Sequence, residues 1–185
     1  MNVTILLGTV RNGRQSHKAA QYVASTLAER GSKVDLIDLA EEPLPMLGYE
    51  PHQNKETEQR IRQISNRLDE SDAIILVTPE YQGSFSGALK NALDHYYTEF
   101  HKKPVGVVAA SAGGMAGINA STQLQHVILS LGAYPLPMKL LVPQVHHAFD
   151  DSFEPLNEKI IEMTGKFLDE FSWFAEAIIQ KKTVR

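Results

Sequence analysis

Apolar residues gather in five short runs: "VTILL" at 3–7, "KVDLIDL" at 33–39, "AIILVT" at 73–78, "PVGVVAAS" at 104–111 and "PMKLLVP" at 137–143. Between them the apolar positions change period. Ala19, Tyr22, Val23 and Leu27 recur at helical spacing, as do Ile61, Ile64 and Leu68, and later Leu124, Val127, Ile128 and Leu131. The runs "AIILV" and "VGVVAA" are apolar throughout rather than alternating, which suits strands covered by helices on both faces of a parallel sheet. The pattern predicts an α/β fold with a five-stranded, doubly wound parallel sheet of strand order 2-1-3-4-5. A last helix is expected over 155–180, with Leu156, Ile160, Met163, Phe167, Phe171 and Phe174 along one stripe.

Composition narrows the partners. The 185 residues fit one domain spanning 1–185, with 43% hydrophobic and 22% charged residues, the balance of an ordinary globular protein. A net charge of −4 argues against a nucleic-acid surface. The chain has no cysteine, so redox chemistry has to come from a bound cofactor and not from thiols or iron–sulfur clusters. No apolar run approaches a membrane span, and the chain starts directly in a strand-like segment; a cytoplasmic protein is expected, with no membrane partner. His146 and His147 are adjacent and diverge in an extended chain, so no metal site is expected on them. The longest irregular stretch, "AEEPLPMLGYEPHQNKE" (40–56), holds three of the nine prolines and reads either as a surface loop or as a segment for ligand closure or subunit contact.

Ligands of an open parallel sheet collect outside the carboxyl ends of its strands, near the reversal of strand order. The loops after strands one, three and four are therefore the informative ones. The first, "GTVRNGRQSHKAA" (8–20), offers a tight turn at Gly8, hydroxyls on Thr9 and Ser16, and cations on Arg11 and Arg14, all before a helix N-terminus that attracts anions. Gly8 and Gly13 have the spacing of a triphosphate loop, but Arg14 and Gln15 stand where Lys and Ser or Thr belong. The dinucleotide pattern G-x-G-x-x-G fails too, because position 10 is Val. A monophosphate needs neither motif; a polar turn with Ser16 as helix cap is the other reading.

The second loop, "TPEYQGSFSGALKNALDH" (78–95), combines a proline at a strand exit, the exposed run Glu80, Tyr81 and Gln82, and glycines that let main chain meet a flat ring. Ser84 or Ser86 would cap its helix, with Leu89, Ala92, Leu93 and Tyr96 on the buried side. The third loop, "SAGGMAG" (111–117), could wrap a ligand with main-chain N–H groups.

Together these segments resemble the NADPH-dependent FMN reductase family of flavodoxin-like proteins, which includes azoreductases, quinone reductases and chromate-reducing enzymes. The specific part is Pro-Glu-Tyr followed by a small loop and "G-x-L-K-N-A-x-D". The resemblance implies a flavodoxin-like three-layer sandwich. It implies that Thr9, Arg11, Ser16 and His17 hold the phosphate of FMN. Pro79, Glu80, Tyr81, Gln82, Gly83 and Ser84 would then line the isoalloxazine, with Ser111, Ala112, Gly113 and Gly114 on its other side. Arg14 is left to join the phosphate site or to reach a second ligand, such as a nicotinamide 2′-phosphate.

Two departures stand out: Thr9 where the family often has Ser, which keeps the hydroxyl, and Ser86 where it often has Pro, expected to loosen the start of the helix. The implied activity is hydride transfer from NADPH or NADH to FMN, then electron transfer to a small acceptor in a ping-pong cycle. N–H groups of the 80–84 loop would stabilise charge, Glu80 would act as a positioning group, and no catalytic side chain would be needed. A flavodoxin-like electron carrier without its own substrate is the alternative. The resemblance also implies a homodimer or homotetramer, and Phe171, Trp173 and Phe174 put aromatics on more than one face of the last helix.

Overall fold

Strands and helices alternate as β1 (Asn2–Leu7), α1 (Ser16–Glu29), β2 (Lys33–Asp38), α2 (Lys55–Glu70), β3 (Ala73–Pro79), α3 (Gly87–His95), β4 (Pro104–Ala110), α4 (Ile118–Ser130), β5 (Tyr134–Val142) and α5 (Glu158–Thr183). This is a computed structural model, and it describes residues 1–49 and 55–183. The five strands form one parallel sheet of order β2-β1-β3-β4-β5, as the apolar pattern predicts.

Strand alternation divides the core in two. Val3, Ile5, Leu7, Ile75, Val77 and Val108 face α1 and α5, where Ala19, Val23, Leu27, Phe167 and Phe171 pack. Leu6, Ile74, Leu76, Val105 and Val107 face the other way, onto Ile64, Leu68, Leu89, Leu93, Leu124 and Ile128 of α2, α3 and α4. Every residue of β3 and β4 is buried, which is why those two runs show no polar alternation. The result is a three-layer sandwich with its carboxyl edge open for loops.

Two ends differ from expectation. β5 begins at Tyr134, three residues earlier than its apolar run, and includes Pro135 and Pro137. It is an edge strand whose ladder with β4 shifts register between Val105 and Val107, and edges and irregular pairings tolerate prolines. At the other end, Leu156 precedes α5 and is 61% exposed, so the buried stripe starts at Ile160, whose N–H donates to Asn157 Oδ1 at 3.0 Å.

In the long loop after β2, residues 50–54 lie outside the described residues. The part before them is tied to α3: Asn91 Nδ2 donates to Pro45 O at 2.8 Å and its Oδ1 accepts from Leu47 N at 2.9 Å. Among the described residues no helix is long and apolar enough to cross a membrane.

Candidate functional site

Leaving β1, the chain runs between β3 and α3. Gly8 donates to Val77 O at 2.8 Å. It does not adopt a left-handed conformation; glycine is needed there because a Cβ would lie 2.5 Å from Leu89 Cβ. The turn itself falls at Gly13, with φ +70°. Thr9 is fully buried, and its Oγ1 has no hydrogen-bond partner. Ser16 is the first residue of α1 and not its cap. The cap position belongs to Gln15, whose side chain makes no capping bond; Lys18 N donates to Gln15 O at 3.0 Å, and the N–H groups of Ser16 and His17 stay open to an anion. Arg11 is exposed.

Arg14 is committed elsewhere. Its guanidinium forks onto Asp38 Oδ1 and Oδ2, both at 2.5 Å, and Nη1 also donates to Thr9 O at 2.7 Å. His17 is half-buried, its Nδ1 has no partner, and the ring meets Phe153 edge-on at 5.7 Å. Burial pushes the imidazole below its usual pKa, and the Arg14 charge adds to that shift.

The second loop is a tight hairpin. Tyr81 N donates to Ser84 O at 2.8 Å and Ser84 N to Tyr81 O at 3.0 Å, while Gln82 and Gly83 take φ of +50° and +76°, as a type I′ turn requires of both central residues. Helix α4 holds this hairpin from outside. Glu80 Oε2 accepts from Asn119 N and Ala120 N, each at 3.1 Å, so a carboxylate from the loop closes the start of α4. Gln123 grips the turn with both amide atoms: Nε2 donates to Gly83 O at 2.7 Å, and Oε1 accepts from Ser84 Oγ at 2.8 Å. Glu80 N donates to Ala110 O at 3.0 Å. Three of the five N–H groups at 80–84 are thus used internally, leaving those of Gln82 and Gly83 without an acceptor among the described residues.

Of the two candidate caps, Ser86 is the one used. Its Oγ accepts from Leu89 N at 3.1 Å and donates to Gly8 O, while its N–H donates to Thr78 Oγ1 at 3.1 Å. The expected loosening at this position is reversed: Ser86 ties the first loop to the second.

The third loop leans on the segment after β5. Ser111 O accepts from Val145 N at 3.0 Å and Gly113 O from Gln144 N at 3.3 Å. Gly113 and Gly114 are exposed, avoid positive φ and have open space where a Cβ would sit, so the fold itself has no need of glycine there.

These loops enclose one cleft at the carboxyl edge. Thr9, Arg11, Arg14 and Ser16 line it from the first loop, Pro79, Glu80 and Tyr81 from the second, and Ser111 and Ala112 from the third. His17, Gln82, Gly83, Gly113 and Gly114 do not line it, and Ser84 faces a separate groove between α3 and α4 with Phe85 and Val127. Val145 and His146 form a wall that the sequence reading missed, because the loop after the edge strand was not counted among the ligand loops. Asp38 was missed as well; the available signal was an acid at the carboxyl end of the strand beside the arginine-bearing loop. An open helix start, an orphan buried hydroxyl and the exposed cation of Arg11 suit a ligand with a phosphate at one end.

A family model described as NADPH-dependent FMN reductase matches residues 1–147. The NADPH azoreductase of Bacillus sp. (strain OY1-2) is 30% identical over 147 residues, 79% of each chain. The FMN-dependent NADPH-azoreductase of Staphylococcus haemolyticus (strain JCSC1435) is 29% identical over 179 residues, 94% of this chain and 95% of the relative. Among solved structures, the flavoenzyme FerB of Paracoccus denitrificans, an NAD(P)H:(acceptor) oxidoreductase, superimposes with a TM-score of 0.76 at 25% identity, covering 97% of both chains.

Proposed function

The chain belongs to the NADPH-dependent FMN reductase family and is an oxidoreductase; from that premise we propose that it binds FMN in the carboxyl-edge cleft and uses NADPH or NADH to reduce a small acceptor. One observation carries the placement: the fully buried Thr9 hydroxyl, without a partner, beside the uncapped start of α1. A buried polar atom left unpaired costs about 1–3 kcal/mol, and a phosphate oxygen would pair it.

In this reading Thr9, Arg11 and Ser16 hold the phosphate, with His17 behind them. Pro79, Glu80, Tyr81, Gln82, Gly83 and Ser84 frame one edge of the ring, and Ser111, Ala112, Gly113 and Gly114 its other side. Bound FMN supplies the redox chemistry, accepting hydride from a reduced nicotinamide and passing electrons on. The residues orient and stabilise. The free N–H groups of Gln82 and Gly83 are fixed donors for negative charge on the ring edge, held by the hairpin and by Gln123. Glu80 positions the loop through α4, since its carboxylate is occupied by Asn119 and Ala120. Nicotinamide and acceptor share the exposed face in turn, and flavins, quinones, azo compounds and metal oxyanions are the acceptor classes this chemistry serves.

The test is a spectrum. Apoprotein reconstituted with FMN should gain a band near about 450 nm, and anaerobic NADPH should bleach it. Failure to take up FMN overturns the reading; uptake without bleaching by either nicotinamide marks a carrier. Stopped-flow comparison of NADPH with NADH and an acceptor panel then fix the substrates.

The whole chain, 1–185, is read as one such domain, acting in the cytoplasm where reduced nicotinamides are produced. A homodimer or homotetramer is the assembly that goes with this reading. Phe171 is fully buried, but Trp173 is 68% exposed, which supplies an apolar contact for a partner copy. Sedimentation at several concentrations and cell fractionation test these points.

A further inference from the structure

Arg14 has the charge of a phosphate ligand, yet its guanidinium faces Asp38. We propose that Arg14 and Asp38 are a positioning pair that sets the first loop for FMN, acting through Thr9 and Arg11. The inference rests on the FMN reading above.

Both terminal guanidinium nitrogens are engaged with one carboxylate at 2.5 Å, and the two side chains are each only 17% exposed. The pair reaches past itself in both directions. Arg14 Nη1 holds the carbonyl of Thr9 at 2.7 Å, the residue whose hydroxyl is buried without a partner. The Arg14 N–H donates to Arg11 O at 3.1 Å, closing the turn that presents Arg11. On the other side Asp38 Oδ1 accepts from Ala40 N at 3.0 Å, so the carboxylate is fixed to the end of β2, which is itself in register with the end of β1. The pair therefore fastens the loop to the sheet at the point where its two proposed phosphate donors leave the chain.

Charge makes the inference sharp. An aspartate close to a phosphate site repels the ligand, so an electrostatic account predicts that removing the Asp38 charge tightens FMN. It would also release Arg14 to bind phosphate directly. The positioning account predicts the opposite sign, because without Asp38 the guanidinium loses its anchor and Thr9 its orientation.

The measurement is a titration of apoprotein with FMN and, in parallel, with riboflavin, which lacks the phosphate. Wild type, Asp38→Asn, Arg14→Lys and Arg14→Ala with Asp38→Ala in combination would be compared, with apoprotein melting followed separately. Asp38→Asn is expected to weaken FMN by about tenfold and to change riboflavin by less than about twofold. Arg14→Lys should do the same, since an ammonium cannot bridge both carboxylate oxygens and the Thr9 carbonyl. The double variant should lose no more than the worse single one. Unchanged or tighter FMN binding in either single variant overturns the proposal, as does an equal loss for riboflavin. If Asp38→Asn does not fold, the charge-preserving Arg14→Lys decides alone. Wild-type apoprotein that ignores FMN is a different failure, that of the cofactor reading.

Discussion

α1 and α3 start at the same edge of the sheet, after the neighbouring strands β1 and β3, and their first turns are finished in opposite ways. At α3, Ser86 accepts from Leu89 N, donates to Gly8 O and is itself held by Thr78, so the donors and acceptors of that turn meet inside the protein. At α1, Gln15 makes no capping bond, and Thr9 Oγ1 and His17 Nδ1 are buried without partners. α4 resembles α3 here, because Glu80 closes its start from a distant loop. Unpaired buried polar atoms are rare in folded proteins and need a reason. Two such atoms gather at the start of α1, which supports the proposal that α1 is the open side for a ligand and α3 the frame beside it.

The frame side should break hardest. Gly8→Ala places a Cβ 2.5 Å from Leu89 Cβ, with backbone fixed on both sides by Val77 and Ser86. A loss of about 3 kcal/mol in apoprotein stability is expected from this overpacking, read by denaturant titration. A variant as stable as wild type would show that the first loop moves freely against α3 and is not framed by it.

Ser86→Ala comes next, removing a helix cap and leaving the Gly8 carbonyl unpaired, for a loss of about 2 kcal/mol. Ser86→Pro sharpens the point. The native φ of −66° already suits proline, so destabilisation reports the lost hydrogen bonds to Gly8, Thr78 and Leu89. Stability equal to wild type in both variants would mean that the clamp contributes nothing.

The open side should behave the other way. Arg11 is exposed and makes no ion pair among the described residues, so Arg11→Ala should leave apoprotein stability within about 0.5 kcal/mol. FMN affinity should fall by about 1.5–3 kcal/mol if the guanidinium meets the phosphate. Calorimetric titration of apoprotein checks it, and unchanged affinity removes Arg11 from the site.

Which parts of this were legible in the sequence follows from sequence separation. Strand order and core faces were readable because β3 and β4 are buried on both sides and because Ala19, Val23 and Leu27 mark one stripe, all signals within a single element. The three loops could be read for the same reason. The bonds that give them their roles are not local. Ser86 reaches Gly8 across 78 positions, Glu80 reaches Asn119 across 39, and Arg14 meets Asp38 only because β1 and β2 pair Leu7 with Asp38. Residue type alone made Arg14 look like a ligand and Ser86 like a weak replacement for proline; it does not show their bonds to Asp38 and Gly8. The early start of β5 lies outside the apolar run that opens at Pro137, because Tyr134 and Pro135 join the strand only through its place at the sheet edge.

The smallest effect tests whether His17 belongs to the open side. Burial, then the Arg14 charge, lowers its folded-state pKa below the unfolded 6.5; the Arg14 main chain opposes the shift, Lys18 adds to it and Asp38 opposes it. Between those two values the unfolded chain binds more protons than the folded one, so stability rises with pH. The contribution of the neutral imidazole is fully present above 6.5 and is lost as pH falls through the folded pKa. Apoprotein melted at several values from about pH 7.5 to 5 should therefore lose more stability than His17→Gln over the same range. A bound phosphate would favour the charged ring and raise its pKa, so adding FMN should shrink the difference between the two proteins. A difference that FMN leaves unchanged would place His17 outside the reach of the phosphate, and the open side would then rest on Thr9 and the helix start alone.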